Sequence, residues 1–291
     1  MNNVEIKSSI KTDDGATLGY RLLRQQQLKP LLTLIHGLAS NCTRYSEFVE
    51  YTHLKERWDL LRVDLRGHGE SMYRGRYSRA TWINDLNLIM QTEHYQQTVL
   101  MGHSLGAQVA ITYASQFPDR CRGLILIDPV FPENLSGLLS KAKRYRYVLS
   151  IFRIGLRILN RLGIKRWTIP KRDLRALDEQ ARTTLKEHPE LTIADLYTNP
   201  LADFKYIPLA NYLQDVNEVV QSLPLLENIK APVLVLLSGG ATISSFDKTK
   251  EIIDRFPNAR IEVVDADHWL LTEKPEETRR IIENWCAEIF N

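Results

Sequence analysis

The chain has 291 residues, 44% of them hydrophobic, with 38 Lys and Arg against 35 Asp and Glu. That apolar share supplies one large α/β core with an insertion, or two small domains, and the near-balanced charge gives no general attraction for nucleic acid. Three cysteines without C-x-x-C spacing (Cys42, Cys121, Cys286), a polar first thirty residues and no uncharged apolar run near the ~20 residues of a membrane span predict a cytoplasmic protein with free thiols.

Along the chain, Val4 to Ile10 and Ala16 to Leu23 read as two strands joined across Asp13-Asp14-Gly15. Short apolar runs follow at wide intervals: Leu31 to Ile35, Leu60 to Val63, Thr98 to Met101, Gly123 to Ile127, Val233 to Leu237 and Arg260 to Val264. Continuous apolar runs suit strands buried on both faces of a parallel sheet. Helical periodicity fills gaps between them, as in Ala80 to Thr92, where Trp82, Leu86, Ile89 and Met90 share one face. Between Pro132 and Ser222 the alternation stops and only helical patterns with Pro breaks remain. The expected organisation is a core of residues 1–131 and 223–291, with residues 132–222 inserted as a helical cap.

In an open α/β sheet, ligands sit beyond the carboxyl ends of the strands. Chemistry-prone residues collect there: His36-Gly37, Asp64, Ser104, Asp128, Ser238 and His268. The sharpest signal is Gly102-His103-Ser104-Leu105-Gly106, set between an apolar run and the helix Ala107 to Gln116. A turn tight enough to lift a serine hydroxyl above the sheet leaves no room for side chains two residues to either side. Ser104 is therefore the expected nucleophile. A serine hydroxyl needs a base, and His268, in the loop after the last apolar run, can reach back over the sheet. His53, His94 and His188 lie away from strand ends, and His103 is expected to point away from the path of the nucleophile. Metal-ligand spacings, G-x-G-x-x-G and phosphate loops are missing, so no metal or cofactor is implied.

With His36-Gly37-Leu38, the stretch Asp64 to Ser71, the turn around Ser104, and His268-Trp269, the chain resembles the α/β-hydrolase fold superfamily, specifically its capped single-domain serine hydrolases. The resemblance implies a mostly parallel eight-stranded sheet flanked by helices, with the inserted cap. It also implies an oxyanion hole from the backbone N–H groups of Leu38 and Leu105, with Gly37 allowing close approach. Most of this family carries its acid in the loop after the first strand beyond the cap. Here that loop, Ser238-Gly239-Gly240-Ala241-Thr242-Ile243, holds no carboxylate. The preceding strand ends directly in Asp128-Pro129, so Asp128 is preferred as the acid over Asp247, with Thr242 as a donor to the Asp128–His268 pair. The residues from Asp64 to His68, and His36, read as loop scaffolding. The implied activity is hydrolysis of a carboxylic ester or thioester with an apolar acyl part. C–C bond hydrolysis of a diketone and a non-catalytic binding protein are the alternatives.

Twelve Lys or Arg and a single acid, Asp173, lie between Lys141 and Arg175. Arg153, Arg157 and Arg161 fall at helical spacing, opposite Ile151, Phe152, Leu156 and Leu159. The favoured expectation is a helix whose apolar side roofs an acyl channel while its arginines face water. Contact of the basic face with anionic lipid or an acidic acyl carrier is the sharper alternative, and nucleic acid the remotest.

Overall fold

A computed structural model describes residues 5–197, 200–240 and 246–290. Eight strands, β1 (Glu5–Lys11), β2 (Thr17–Leu23), β3 (Leu31–Ile35), β4 (Asp59–Val63), β5 (Thr98–His103), β6 (Cys121–Ile127), β7 (Val233–Ser238) and β8 (Ala259–Val264), form one sheet. Its order is β1-β2-β4-β3-β5-β6-β7-β8. The pairs β1/β2 and β2/β4 are antiparallel and all others are parallel.

Helices α1 (Ser46–Tyr51), α2 (Arg79–Thr92) and α3 (Leu105–Gln116) precede β6. Helices α4 (Gly137–Arg144), α5 (Arg146–Arg161), α6 (Leu174–Glu187), α7 (Ile193–Tyr197), α8 (Pro200–Asp203) and α9 (Leu209–Val219) lie between β6 and β7. The chain finishes with α10 (Phe246–Ile253), α11 (Leu270–Glu273) and α12 (Pro275–Phe290). None of these helices is long and apolar enough to cross a membrane.

The apolar strands are buried on both faces because helices cover both. Along β6, Leu124 and Leu126 join the layer that holds Trp82 and Val109, while Ile125 and Ile127 join the layer that holds Trp285 and Phe48. Successive residues of a strand point to opposite faces, so an unbroken apolar run feeds two cores at once. Each such side chain contributes ~1.5–3 kcal/mol on burial. The three cysteines are free and buried.

The segment between β6 and β7 seats itself over the strand ends through polar contacts. Asn41 donates to the Arg172 carbonyl (2.8 Å), Arg172 donates to the Ala39 carbonyl (3.0 Å), and Gln108 donates to the carbonyls of Val130 (2.7 Å) and Val219 (3.0 Å). Arg44, fully buried, pairs with Asp178.

The orientation of α5 corrects the expectation of an apolar roof. Ile151 is 71% exposed and Phe152 54%, while Arg157 is only 8% exposed. The partner helix is the reason: α9 presents buried Gln214, Asp215 and Glu218, and Arg157 donates to the Gln214 side chain at 3.4 Å. Its guanidinium also lies 5.9 Å over the Tyr77 ring. Arg157 thus turns inward against α9, and Ile151 and Phe152 on the apolar face of α5 turn to the outside. Among the described residues, Nε and Nη1 of Arg157 have no hydrogen-bond partner. Both penalties fall on one helix.

Candidate active site

Ser104 stands between β5 and α3 with φ 54° and ψ −113°, a left-handed backbone rare for a side chain with a Cβ. Its neighbours explain how it is held. A Cβ on Gly102 would collide with the backbone of Gly106, and one on Gly106 would collide with the Ile35 carbonyl of β3. The Ser104 N–H donates to the Ile127 carbonyl at 3.0 Å, tying the turn to β6. Strain of this kind costs ~1–3 kcal/mol and persists only where surrounding structure over-determines it.

His268 is buried in the loop after β8, and its Nδ1 lies 2.6 Å from Asp128 Oδ2 at the end of β6. Asp128 too has a positive φ, 41°. Its N–H donates to the Leu236 carbonyl at 2.8 Å, which anchors it beside β7. The other carboxylate oxygen accepts from both the N–H and the hydroxyl of Ser238, each at 2.9 Å. Burial pushes the Asp128 carboxyl upward, but the hydrogen bond and charge of His268 and the two Ser238 donors outweigh it, leaving the group below its usual value. Asp128 is therefore an anion at neutral pH. It accepts the Nδ1 proton of His268, which leaves Nε2 as the free lone pair. Asp247 lies exposed on α10.

His103 corrects the expectation that it turns away. Its ring packs 4.8 Å from the His268 ring, with Nε2 2.9 Å from the His268 carbonyl. Burial and the neighbouring His268 hold its pKa well below the usual histidine range, so it stays neutral. It acts as a wall that positions the His268 loop.

Ser104, His103 and His268 border one cavity of about 360 Å³ beneath the insertion. Val130, Leu138, Leu139, Leu174 and Val219 give it apolar walls. Gly37 and Leu38 line the side beyond β3. Leu105 opens α3 directly after Ser104, so its N–H has no acceptor within the helix. A Cβ on Gly37 would sit 3.4 Å from the Ser104 Cβ, so a larger residue would crowd the turn.

The other predicted residues brace loops. His36 is buried. Its Nε2 accepts from the Leu65 N–H at 3.0 Å, and its Nδ1 lies 2.8 Å from the Gly37 carbonyl. Asp64 accepts from the N–H groups of Cys42 (2.7 Å) and Glu70 (2.8 Å), and Arg66 forks onto Asp85 at 2.9 and 2.7 Å. His68 Nε2 forms a buried ion pair with Asp215 of α9 at 3.1 Å, off the line of a hydrogen bond. Burial lowers the His68 pKa, yet Asp215 more than offsets it and the net displacement is upward.

Thr242 lies outside the described residues. Among the described residues, Ser238 donates to Asp128, and the sequence placed it at a strand end without a role. Its signal was available: a hydroxyl residue closing the strand next to the one that carries Asp128. Arg44 was also missed, because nothing local marks a 3-10 helix residue as a cavity wall.

A family model described as serine aminopeptidase, S33, matches residues 26–274. The chain is 25% identical over 281 residues to the sn-1-specific diacylglycerol lipase ABHD11 of Mus musculus, covering 93% of this chain and 85% of that one. The structure of a thermophilic esterase from Thermogutta terrifontis superposes with a TM-score of 0.70 at 21% identity, covering 99% of this chain and 100% of the esterase. The esterase EaEST from Exiguobacterium antarcticum gives 0.69 at 17% identity, covering 97% and 100%.

Proposed function

The chain belongs to the serine aminopeptidase S33 family of α/β-hydrolases, and from that premise we propose that it cleaves carboxylic esters with an apolar acyl part through an acyl-enzyme on Ser104. The observation that carries the reading is a serine on a strained turn sharing one cavity with a histidine whose Nδ1 lies on a buried carboxylate. Nε2 of His268 takes the Ser104 proton as Oγ attacks the ester carbonyl. The Leu38 and Leu105 N–H groups receive the oxyanion. His268 then returns the proton to the departing alkoxide, and water clears the acyl group by the same steps reversed. Asp128 holds the tautomer and stabilises the imidazolium.

Esters fit better than peptides with a free N-terminus. The carboxylate among the described cavity residues, Asp203, is committed to Arg172 at 2.6 Å, which leaves no free anion for a substrate ammonium. The apolar walls suit an acyl chain. The lipase name carried by the mouse relative points the same way.

A fluorophosphonate probe should label the parent and not Ser104→Ala, and the same variant should lose hydrolysis of a short p-nitrophenyl ester. An amino-acid p-nitroanilide should be cleaved poorly by both. Ester turnover near the parent level in Ser104→Ala, or faster anilide than ester cleavage by the parent, would sink the proposal.

A further inference from the structure

Among the described residues, the outward face of α5 has no partner. Tyr147, Val148, Ile151, Phe152, Ile158 and Leu159 are all exposed on it, and Leu162 and Trp167 follow in the next turns, the latter 76% exposed. Scattered exposed apolar residues are ordinary, but a helix that turns most of its apolar residues outward is not. The stripe continues toward the proposed reaction site: Leu138 at the start of α4 is exposed and also lines the cavity of Ser104.

The charge around the stripe narrows what can cover it. Twelve of the 38 Lys and Arg fall between residues 141 and 175 against one acid, and outside that segment acids outnumber bases. The described ion pairs of the segment gather at its end: Lys171 with Glu70, Arg172 with Asp203, and Arg175 with Glu50 and Glu179. Lys141, Arg144, Arg161 and Lys165 form no ion pair with a described residue, while Arg166 donates to the Phe204 carbonyl at 2.7 Å. Cations also sit on aromatic rings at the border, with Arg146 4.7 Å over Tyr147 and Lys165 4.2 Å over Trp167. An apolar stripe rimmed by Tyr, Trp and unpaired cations has the chemistry of a helix lying in the headgroup layer of an anionic bilayer.

We propose that α5 and the turns flanking it dock this protein on membranes containing anionic lipid, with the mouth of the Ser104 cavity at Leu138 facing the bilayer. The surface stands apart from the bond chemistry, since none of the α5 residues lines that cavity. Apolar contact supplies the depth of insertion, and the cations supply selectivity for acidic headgroups. This goes beyond the ester reading and does not need it.

Flotation with phosphatidylcholine vesicles, with and without added phosphatidylglycerol, tests it on the full chain. The parent should float with the anionic vesicles, remain free of the neutral ones and dissociate as salt rises. The triple variant Ile151→Ser, Phe152→Ser, Leu159→Ser should bind at least ~10-fold more weakly, because the exposed apolar area is lost. Arg144→Gln, Arg161→Gln and Lys165→Gln should weaken binding roughly fivefold for each cation removed. All variants should keep parent circular dichroism and parent hydrolysis of a short soluble ester. Equal flotation of parent and the triple serine variant would overturn the proposal. So would a parent dimer in solution that the serine variant dissociates, since a second copy would then cover the stripe. Vesicle binding without any ester hydrolysis would remove the proposed reaction and leave the docking surface in place.

Discussion

Strand β6 and helix α5 are both rich in Leu and Ile, yet their surroundings treat them in opposite ways. In β6 every residue except Arg122 is buried. Among the sixteen residues of α5 only Arg157 is. A central strand has neighbours on both edges and helices on both faces, so an apolar run there has one stable place. A peripheral helix has a choice of face, and its partner decides it. Here α9 presents polar side chains, and Arg157 of α5 turns toward them and donates to Gln214. The same contrast runs through the whole molecule: the core buries apolar surface and carries Ser104, Asp128 and His268 at its strand ends, while the insertion is attached through polar contacts and lines the cavity.

The largest effect should come from the core strand ends. Asp128→Asn would present an amide to His268 Nδ1, favour the wrong tautomer and reduce kcat by ~10⁴, the size of loss seen when a triad acid is so replaced in a serine protease. Asp247→Asn, on exposed α10, should leave kcat within ~2-fold, as surface changes away from a site do. Steady-state kinetics on a short ester separates them, and the reverse ranking would move the acid to α10.

Leu126→Ala, in the fully buried middle of β6, should cost ~2–5 kcal/mol by urea unfolding, as large-to-small core changes do. A loss under ~1 kcal/mol would mean that β6 is not packed between two helical layers.

The link between the two regions is sensitive to pH through His68 and Asp215, which Tyr77 and Arg157 also face. The folded His68 pKa lies above its ordinary 6.5. Its pairing therefore contributes fully below that value, and the contribution disappears as pH rises through the folded value. The thermal advantage of the parent over Asp215→Asn should be larger near pH ~6 than near pH ~9. An advantage that grows with pH would show that His68 is neutral in the fold.

The smallest effect tests the insertion by itself. Phe152→Ser should change unfolding free energy by no more than ~0.5 kcal/mol, because the ring is more than half exposed. A loss of ~2 kcal/mol or more would mean that the apolar side of α5 packs inward after all.

What could be read without coordinates followed how local the cause was. Gly102 and Gly106 are two residues from Ser104 and exist for the turn that lifts it, so the motif carried its own explanation. Asp128 was legible through an absence, the lack of a carboxylate after β7, together with a carboxylate at the neighbouring strand end. Ser238 escaped because its role depends on the side-by-side pairing of β6 and β7, which no short stretch encodes. His103 escaped for a similar reason: its ring meets a residue 165 positions away.

By itself the sequence determined the order of strands and helices, the two-faced core and the nature of the turn at Ser104. Those follow from periodicity and from backbone sterics within a few residues. Tertiary structure alone decided that Ser238 donates to Asp128, that His103 walls the His268 loop, and that α5 shows its apolar face to the outside. Each of those depends on which distant surface arrives as partner. An amphipathic pattern states which side chains share a face, and only the neighbouring helix settles which face turns inward.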